Sequence, residues 1–537
     1  MARERLYIFD TTLRDGNQTQ GVDFSVEDKR IIAEALDALG VDYIEGGWPG
    51  ANPTDTAFFE DRPKLNNAKF TSFGMTRRAG RSAANDPGLV AVIDADVDAV
   101  CLFGKTWDFQ VEVALEIELP EAVELIGDSV AAAVERRGEA VFDAEHFFDG
   151  YKSNPEFALN CLKAAYEAGA RWVVLCDTNG GTLPHEVTRI VEEVSQHIPG
   201  DHLGIHTHND TENAVANTLA AVNAGVRHIQ GTLNGLGERC GNANLISLIA
   251  TIMLKPEFSE RFETGIPAEN VRQLTHISRL LDELLNKAPA NHAAYVGPAA
   301  YAHKGGVHGS AVLKDPRTYE HVPPETIGNK RTVLISDQAG KANVLMRLND
   351  LGIDVDSTDA RIMKLVEEVK EREYLGYTYD GAEASFELMA RRALGEVPDY
   401  FDVESFRVMV ERRHNAKGDL VTVSEATVKV TVDGQSLMSA GEGNGPVNAL
   451  DEALRKDLGK FSKYIEDVQL TDFKVRILTH EGTDAVTRVM VESIDGQGHR
   501  WSTVGVSPNI VDASFQALLD SIVYKLYRDG APAGSNS

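Results

Sequence analysis

Asp15, His206 and His208 are the residues whose types and spacing point most directly to chemistry. Residues 6–18 read Leu-Tyr-Ile-Phe-Asp-Thr-Thr-Leu-Arg-Asp-Gly-Asn-Gln, a short β-rich run that ends in Asp10, Arg14 and Asp15 and breaks at Gly16. Residues 203–210 read Leu-Gly-Ile-His-Thr-His-Asn-Asp, a second run ending in two imidazoles and a carboxylate. Side chains repeat every two residues along a strand, so His206 and His208 share one face. Imidazole and carboxylate donors suit a hard or borderline divalent cation such as Mg, Mn or Zn. Two histidines and a carboxylate also describe non-haem iron sites, but there the carboxylate usually follows the first histidine closely. A lone strand histidine reads as an ordinary core residue; His-x-His at a strand end reads better as a ligand pair.

Other strand ends carry further groups. Glu145 ends a predicted fifth strand, and Asp177-Thr178 end a sixth. Singly, such carboxylates can merely cap the next helix. Arg14, beside a metal carboxylate, offers a planar fork for a substrate carboxylate. Gly235-Leu236-Gly237-Glu238-Arg239-Cys240-Gly241-Asn242 follows the eighth run. It reads either as a phosphate loop or as a tight turn, with Asn242 a fourth oxygen ligand and Glu238–Arg239 a structural ion pair. His303, Lys304 and His308 lie in a glycine-rich segment, which suits either an acid/base lid or a solvated loop.

A regular rhythm of elements must position these groups. Apolar runs near Tyr7–Phe9, Tyr43–Glu45, Phe70–Phe73, Ala99–Phe103, Ala140–Asp143, Trp172–Cys176, His202–His206 and His228–Thr232 alternate with helical-period stretches such as Val26–Leu39 and Pro155–Ala168. This predicts an α/β chain opening with a (β/α)8 (TIM) barrel over residues 1–265, whose chemistry sits at the C-terminal strand ends. An open doubly wound sheet fits less well, because no GxGxxG opens the first helix. Residues 266–398 lose the strand rhythm and read as a helical connector or lid, with helices near Val271–Asn286, Asp356–Glu373 and Ala382–Ala393. Residues 399–528 alternate as strands and repeat a βββα pattern, which predicts a separate α+β domain. The Gly/Ala/Pro/Ser tail at 529–537 reads as disordered.

Composition excludes several classes. Of 537 residues, 53 are basic and 82 acidic, a net charge of −29, so nucleic acid and anionic membranes are unsuited partners. Neither a membrane-spanning run nor a signal-peptide core is present in the sequence. The 4 scattered cysteines form no CxxC, which fits a reducing, cytoplasmic setting.

Leu13-Arg14-Asp15-Gly16-Asn17-Gln18 with Lys29, His206-Thr207-His208-Asn209-Asp210 and Gly237-Glu238-Arg239-Cys240-Gly241-Asn242 together resemble the 2-isopropylmalate, homocitrate and citramalate synthases. The resemblance covers essentially the whole chain, including residues 443–450, similar to that family's regulatory domain. Asp143–Tyr151 and His303–His308 are most similar to the citramalate-forming members. It implies that Asp15, His206 and His208 bind a divalent metal with Asn242 nearby or ligating. Arg14 and Thr178 would hold a 2-oxo acid and Glu145 would line its pocket. His308 is the implied base, with Glu145 the other candidate. The implied reaction is a Claisen condensation of acetyl-CoA with pyruvate, feeding branched-chain amino acid (isoleucine) biosynthesis. The implied assembly is a homodimer whose C-terminal domain binds isoleucine or leucine, or else simply dimerises. Alternatives are a 2-isopropylmalate synthase with a larger pocket and a metal-dependent 2-oxo acid aldolase or lyase without CoA; a non-catalytic binding protein fits least. Homocitrate synthases usually lack such a regulatory domain. One departure stands out: Glu212 occupies a position where the family commonly has glycine.

Overall fold

Short runs rich in β-branched and aromatic residues pair edge to edge in sequence order and close on themselves. The computed structural model describes residues 3–334, 340–356, 358–456, 458–478 and 485–534. Strands β1 (Tyr7–Asp10), β2 (Tyr43–Glu45), β3 (Lys69–Met75), β4 (Ala99–Lys105), β5 (Ala140–Glu145), β6 (Trp172–Asp177), β7 (Leu203–Thr207) and β8 (His228–Gly231) form the closed barrel. Every pairing is parallel, and β8 returns to β1 with Tyr7 opposite His228. The eight runs read from the sequence are these strands, shifted by at most a few residues at their ends.

The helices between them start and stop where local chemistry dictates. Helix α1 (Val26–Leu39) opens on a capping box: Ser25 accepts from the Asp28 amide while Asp28 accepts from the Ser25 amide. It ends at Gly40, whose φ of 104° is a left-handed cap that a β-carbon would oppose. Phe9, Tyr43, Trp172 and Val174 fill the barrel interior, and the Trp172 indole N–H donates to the Tyr43 hydroxyl at 3.1 Å. This packed floor keeps the polar groups at the C-terminal strand ends, as the architecture requires.

The chain divides into two compact units, Met1–Tyr301 with Val322–Arg331, and Ala302–His321 with Thr332–Ser537. The helix Leu274–Leu284 belongs to the first unit, and its Leu274, Ile277 and Leu281 are buried in the same core as the barrel helices.

In the second unit, helix α2 (Gly306–Lys314) carries His308. The sequence suggested a flexible glycine-rich loop there; instead Gly305 starts a helix, and His308 sits in its first turn with its ring 4.3 Å from that of Tyr319. His303 lies 3.0 Å from Glu320. The helices Lys341–Asp350, Ala360–Tyr374 and Glu383–Leu394 follow. The βββα repeat is present: β9 (Asp402–His414), β10 (Leu420–Val432) and β11 (Gln435–Gly443) precede helix α3 (Pro446–Lys456), and β12 (Gln469–Ile477), β13 (Thr487–Ile494) and β14 (Arg500–Ser507) precede helix α4 (Ile510–Arg528). Each trio forms an antiparallel sheet. Alternate residues Ala426, Val428 and Val430 of β10 are buried in one core with Ala449, Leu450 and Ala453 of α3, the expected one-sided pattern. In the tail that reads as disordered, Ala531 is buried and the Gly534 amide donates to the Asp399 carbonyl at 2.7 Å; residues 535–537 lie outside the described residues.

Candidate active site

The ends of β1 and β7 meet at one point. His206 Nε2 lies 3.2 Å from Asp15 Oδ2 and 3.2 Å from His208 Nε2, and His208 Nε2 lies 3.9 Å from the same Asp15 oxygen. All three side chains are buried. Asn242 joins them, donating its Nδ2 to Asp15 Oδ2 at 2.6 Å, while its Oδ1 is buried without a hydrogen-bond partner among the described residues. Two ring nitrogens and a carboxylate oxygen facing one another need a positive charge between them. The electrostatics agree. Burial opposes ionisation of Asp15, but Arg14 and the two imidazoles hold its carboxyl well below the usual range. Burial works against a charge on His206 too, but Asp15 pushes its pKa up, while burial and the neighbouring His206 push His208 down to about 3. The donors and their convergence fit a divalent cation.

Arg14 is fixed beside this cluster. Its Nε donates to Glu45 Oε2 at 2.7 Å, its guanidinium carbon stands 3.7 Å above the Phe73 ring, and its Nη1 is 3.6 Å from Asp15 Oδ2. Glu45 also accepts from the Thr11 hydroxyl at 2.5 Å. Arg14, Asp15, Phe73, His206 and His208 line a cavity of ≈ 400 Å³ together with Trp48, Phe103, Asp143, Glu145 and Thr178. Trp48, Phe73 and Phe103 form an aromatic wall, with Phe73 stacked on Phe103 at a centroid distance of 5.1 Å. The Thr178 hydroxyl accepts from the His146 amide at 2.8 Å, which leaves its proton to donate into the cavity. Lys105 Nζ is 2.5 Å from Glu145 Oε2. Burial, reinforced by Glu45, pushes Asp143 up to about 6.

The structure brings Arg14, Asp15, Glu145, Thr178, His206 and His208 to this one cavity, with Asn242 bonded to Asp15. Asp10 stays apart from the cluster: it accepts from the Thr12 amide and hydroxyl and so orders the turn after β1. The Gly235–Asn242 segment folds as a tight turn. The amides of Gly237, Gly241 and Asn242 bond to Thr19, Glu238 and Gly235, so they are not free to cradle a phosphate. A β-carbon on Gly237 would meet Asn242 Oδ1 at 2.4 Å, which is why glycine stands there. Arg239 pairs chiefly with Asp210, at 2.8 and 2.9 Å, and only distantly, at 3.8 Å, with Glu238. Glu212 is exposed and adopts φ 58°, so the departure from glycine places a side chain in left-handed backbone rather than near the cavity. Sequence reasoning missed Glu45, Asp143, Lys105 and Gln230. Glu45 and Asp143 each end an apolar run read from the sequence, the one signal available for them.

Residues 5–280 match the HMGL-like family model. The chain is 50% identical over 98% of its length, and 98% of the relative's, to the (R)-citramalate synthase of Aquifex aeolicus. It is 51% identical to that of Geobacter sulfurreducens over 98% of this chain and 99% of the relative. The chain belongs to the HMGL-like family of citramalate and 2-isopropylmalate synthases. A probable 2-isopropylmalate synthase of Methanopyrus kandleri is more distant within this family, 33% identical over 97% of this chain and 98% of that one. The family's accessory parts are present too. Residues 295–374 match a homocitrate synthase post-HMGL domain-like model, and residues 380–526 match the LeuA allosteric (dimerisation) domain. The latter spans the two antiparallel sheets and their helices.

Proposed function

We propose that this chain condenses acetyl-CoA with pyruvate to give (R)-citramalate and free CoA. The observation that carries the reading is the identity of about half of all residues, over nearly the full length, with relatives named (R)-citramalate synthase. The cavity supports it. Asp15, His206, His208 and Asn242 hold a divalent metal, which when bound supplies a Lewis acid for the 2-oxo carbonyl. Arg14 and Thr178 orient the substrate carboxylate, Arg14 through its fork and Thr178 through its hydroxyl proton. Glu145, tethered to Lys105, lines the pocket. The aromatic wall of Trp48, Phe73 and Phe103 gives the substrate side chain an apolar surface.

His308 removes a proton from the acetyl methyl; this role rests on its motif. The resulting carbanion attacks the 2-oxo carbon, the oxo oxygen takes up a proton, and water cleaves the thioester to release the CoA thiol. Domain limits near 265 and 399, residence in the cytoplasm, a place in isoleucine biosynthesis and feedback by isoleucine or leucine on a homodimer complete the reading. Among the described residues no helix is long and apolar enough to cross a membrane.

Thiol release with purified protein tests the proposal. Release requiring pyruvate, acetyl-CoA and a divalent cation, abolished by chelator and restored by metal, is expected. Pyruvate turnover without acetyl-CoA would instead indicate an aldolase or lyase, and no release with any 2-oxo acid would overturn the condensation itself.

A further inference from the structure

Gln230 lies on β8 inside the barrel and is fully buried, in a stretch with no recognisable motif. Its Nε2 donates to Asp143 Oδ1 at 2.9 Å, and its Oε1 faces His206 Nδ1 at 2.8 Å. Asp143 is on β5 and His206 on β7, so the amide reaches across the barrel interior to connect them. The bond to Asp143 fixes the direction of the amide, because an ionised carboxylate only accepts. The amide oxygen therefore faces the imidazole, and it too only accepts. His206 Nδ1 must then carry the hydrogen. With the cation bound the imidazole is neutral and has one N–H, so Nε2 is left with the lone pair. That is the nitrogen 3.2 Å from both Asp15 Oδ2 and His208 Nε2.

We propose that Gln230, held by Asp143, is the positioning residue that sets His206 as an Nε2 ligand for the divalent cation. This rests on the metal reading given above. An amide in this place orients the ring and selects the tautomer without adding charge to a cluster that already holds Asp15. Groups that orient a metal-bound histidine in this way typically change metal affinity by about 10- to 100-fold when removed.

The test is Mn²⁺ affinity of the metal-stripped full-length protein, measured by calorimetry. Gln230→Leu keeps the size and removes the acceptor; it should bind Mn²⁺ about 10- to 100-fold more weakly than the parent. The reciprocal pair Gln230→Glu with Asp143→Asn restores both hydrogen bonds with the donor and the charge exchanged, and should bind within about threefold of the parent. A packing role would leave Gln230→Leu near the parent and would give the pair no advantage. Equal affinity of Gln230→Leu and the parent, or equal loss in both variants, overturns the proposal. ¹⁵N NMR of histidine-labelled, Zn²⁺-loaded parent protein reads the same point without depending on whether a variant folds. The His206 signal, assigned by its loss in His206→Gln, should be protonated at Nδ1; ligation through Nδ1 overturns the proposal. His208→Ala separates the two layers of inference. If it binds Mn²⁺ as well as the parent, the metal reading fails; if it weakens binding while Gln230→Leu does not, only the role of Gln230 falls.

Discussion

Arg14→Lys keeps the charge and removes the fork, and the structure says what that does. Arg14 meets three neighbours at once: Glu45 through Nε at 2.7 Å, the Phe73 face at 3.7 Å and Asp15 through Nη1 at 3.6 Å. Its Nη end remains at the cavity. A lysine has one ammonium and must choose. Glu45 is fully buried and its Oε1 has no hydrogen-bond partner among the described residues, so the ammonium stays with Glu45. The substrate carboxylate then loses one or both hydrogen bonds to a charged donor, worth roughly 1.5–3 kcal/mol each. A net loss of ~2–4 kcal/mol is about 30- to 700-fold in kcat/KM. The assay is thiol release against pyruvate concentration at saturating acetyl-CoA. We expect kcat/KM for pyruvate to fall by that factor while the KM for acetyl-CoA moves less than about threefold. Arg14→Gln should in addition destabilise the barrel by roughly 3–5 kcal/mol, because it strands the Glu45 carboxylate. An Arg14→Lys enzyme with kcat/KM for pyruvate within about threefold of the parent would refute the assignment of Arg14 to the substrate carboxylate.

Three further outcomes follow from the same geometry. Phe103→Ala removes one face of the aromatic wall and should raise the ratio of kcat/KM for 2-oxobutyrate over pyruvate about tenfold or more, as for an added methylene in a widened apolar pocket; an unchanged ratio in a substrate panel removes Phe103 as a size gate. Burial, opposed by the Thr12 bonds, raises Asp10 from its usual 3.8 to about 7. The unfolded chain therefore ionises this group first, and stability is lost as pH rises from about 4 to 7. Asp10→Asn should stabilise the fold relative to the parent, more at pH 8 than at pH 5, by up to ~4 kcal/mol above pH 7; a pH-independent difference in melting curves contradicts this. His308→Ala should lower kcat by about 10²–10⁴ and leave Mn²⁺ affinity unchanged, whereas near-normal turnover would remove His308 as the base.

Much of this was legible in sequence order. The barrel strands could be read because each is a short apolar run bounded by turn residues, and α1 because its apolar residues repeat at the helical period. The βββα repeat was visible through alternation, which reports one buried sheet face directly. His206 and His208 declared themselves through their two-residue spacing. The fate of the glycine-rich segments was less legible. Residues 235–242 could cradle a phosphate or make a turn, and only the partners of their amides decide between them. His308 read as part of a loop because glycines mask the helix that Gly305 begins.

The sequence alone determined the types of group available: two imidazoles on one strand face, a carboxylate and a guanidinium adjacent at a distant strand end, and the order of elements that makes a closed barrel. Those properties follow from local periodicity. The tertiary structure decided which of them act together. Closure of the sheet brings Asp15 to within 3.2 Å of His206 across nearly two hundred residues of chain, and it sets Glu45 behind Arg14 and Gln230 behind His206. No local pattern carries that information, because a buried glutamine or glutamate in an apolar strand looks like an ordinary polar residue until the barrel supplies its partner.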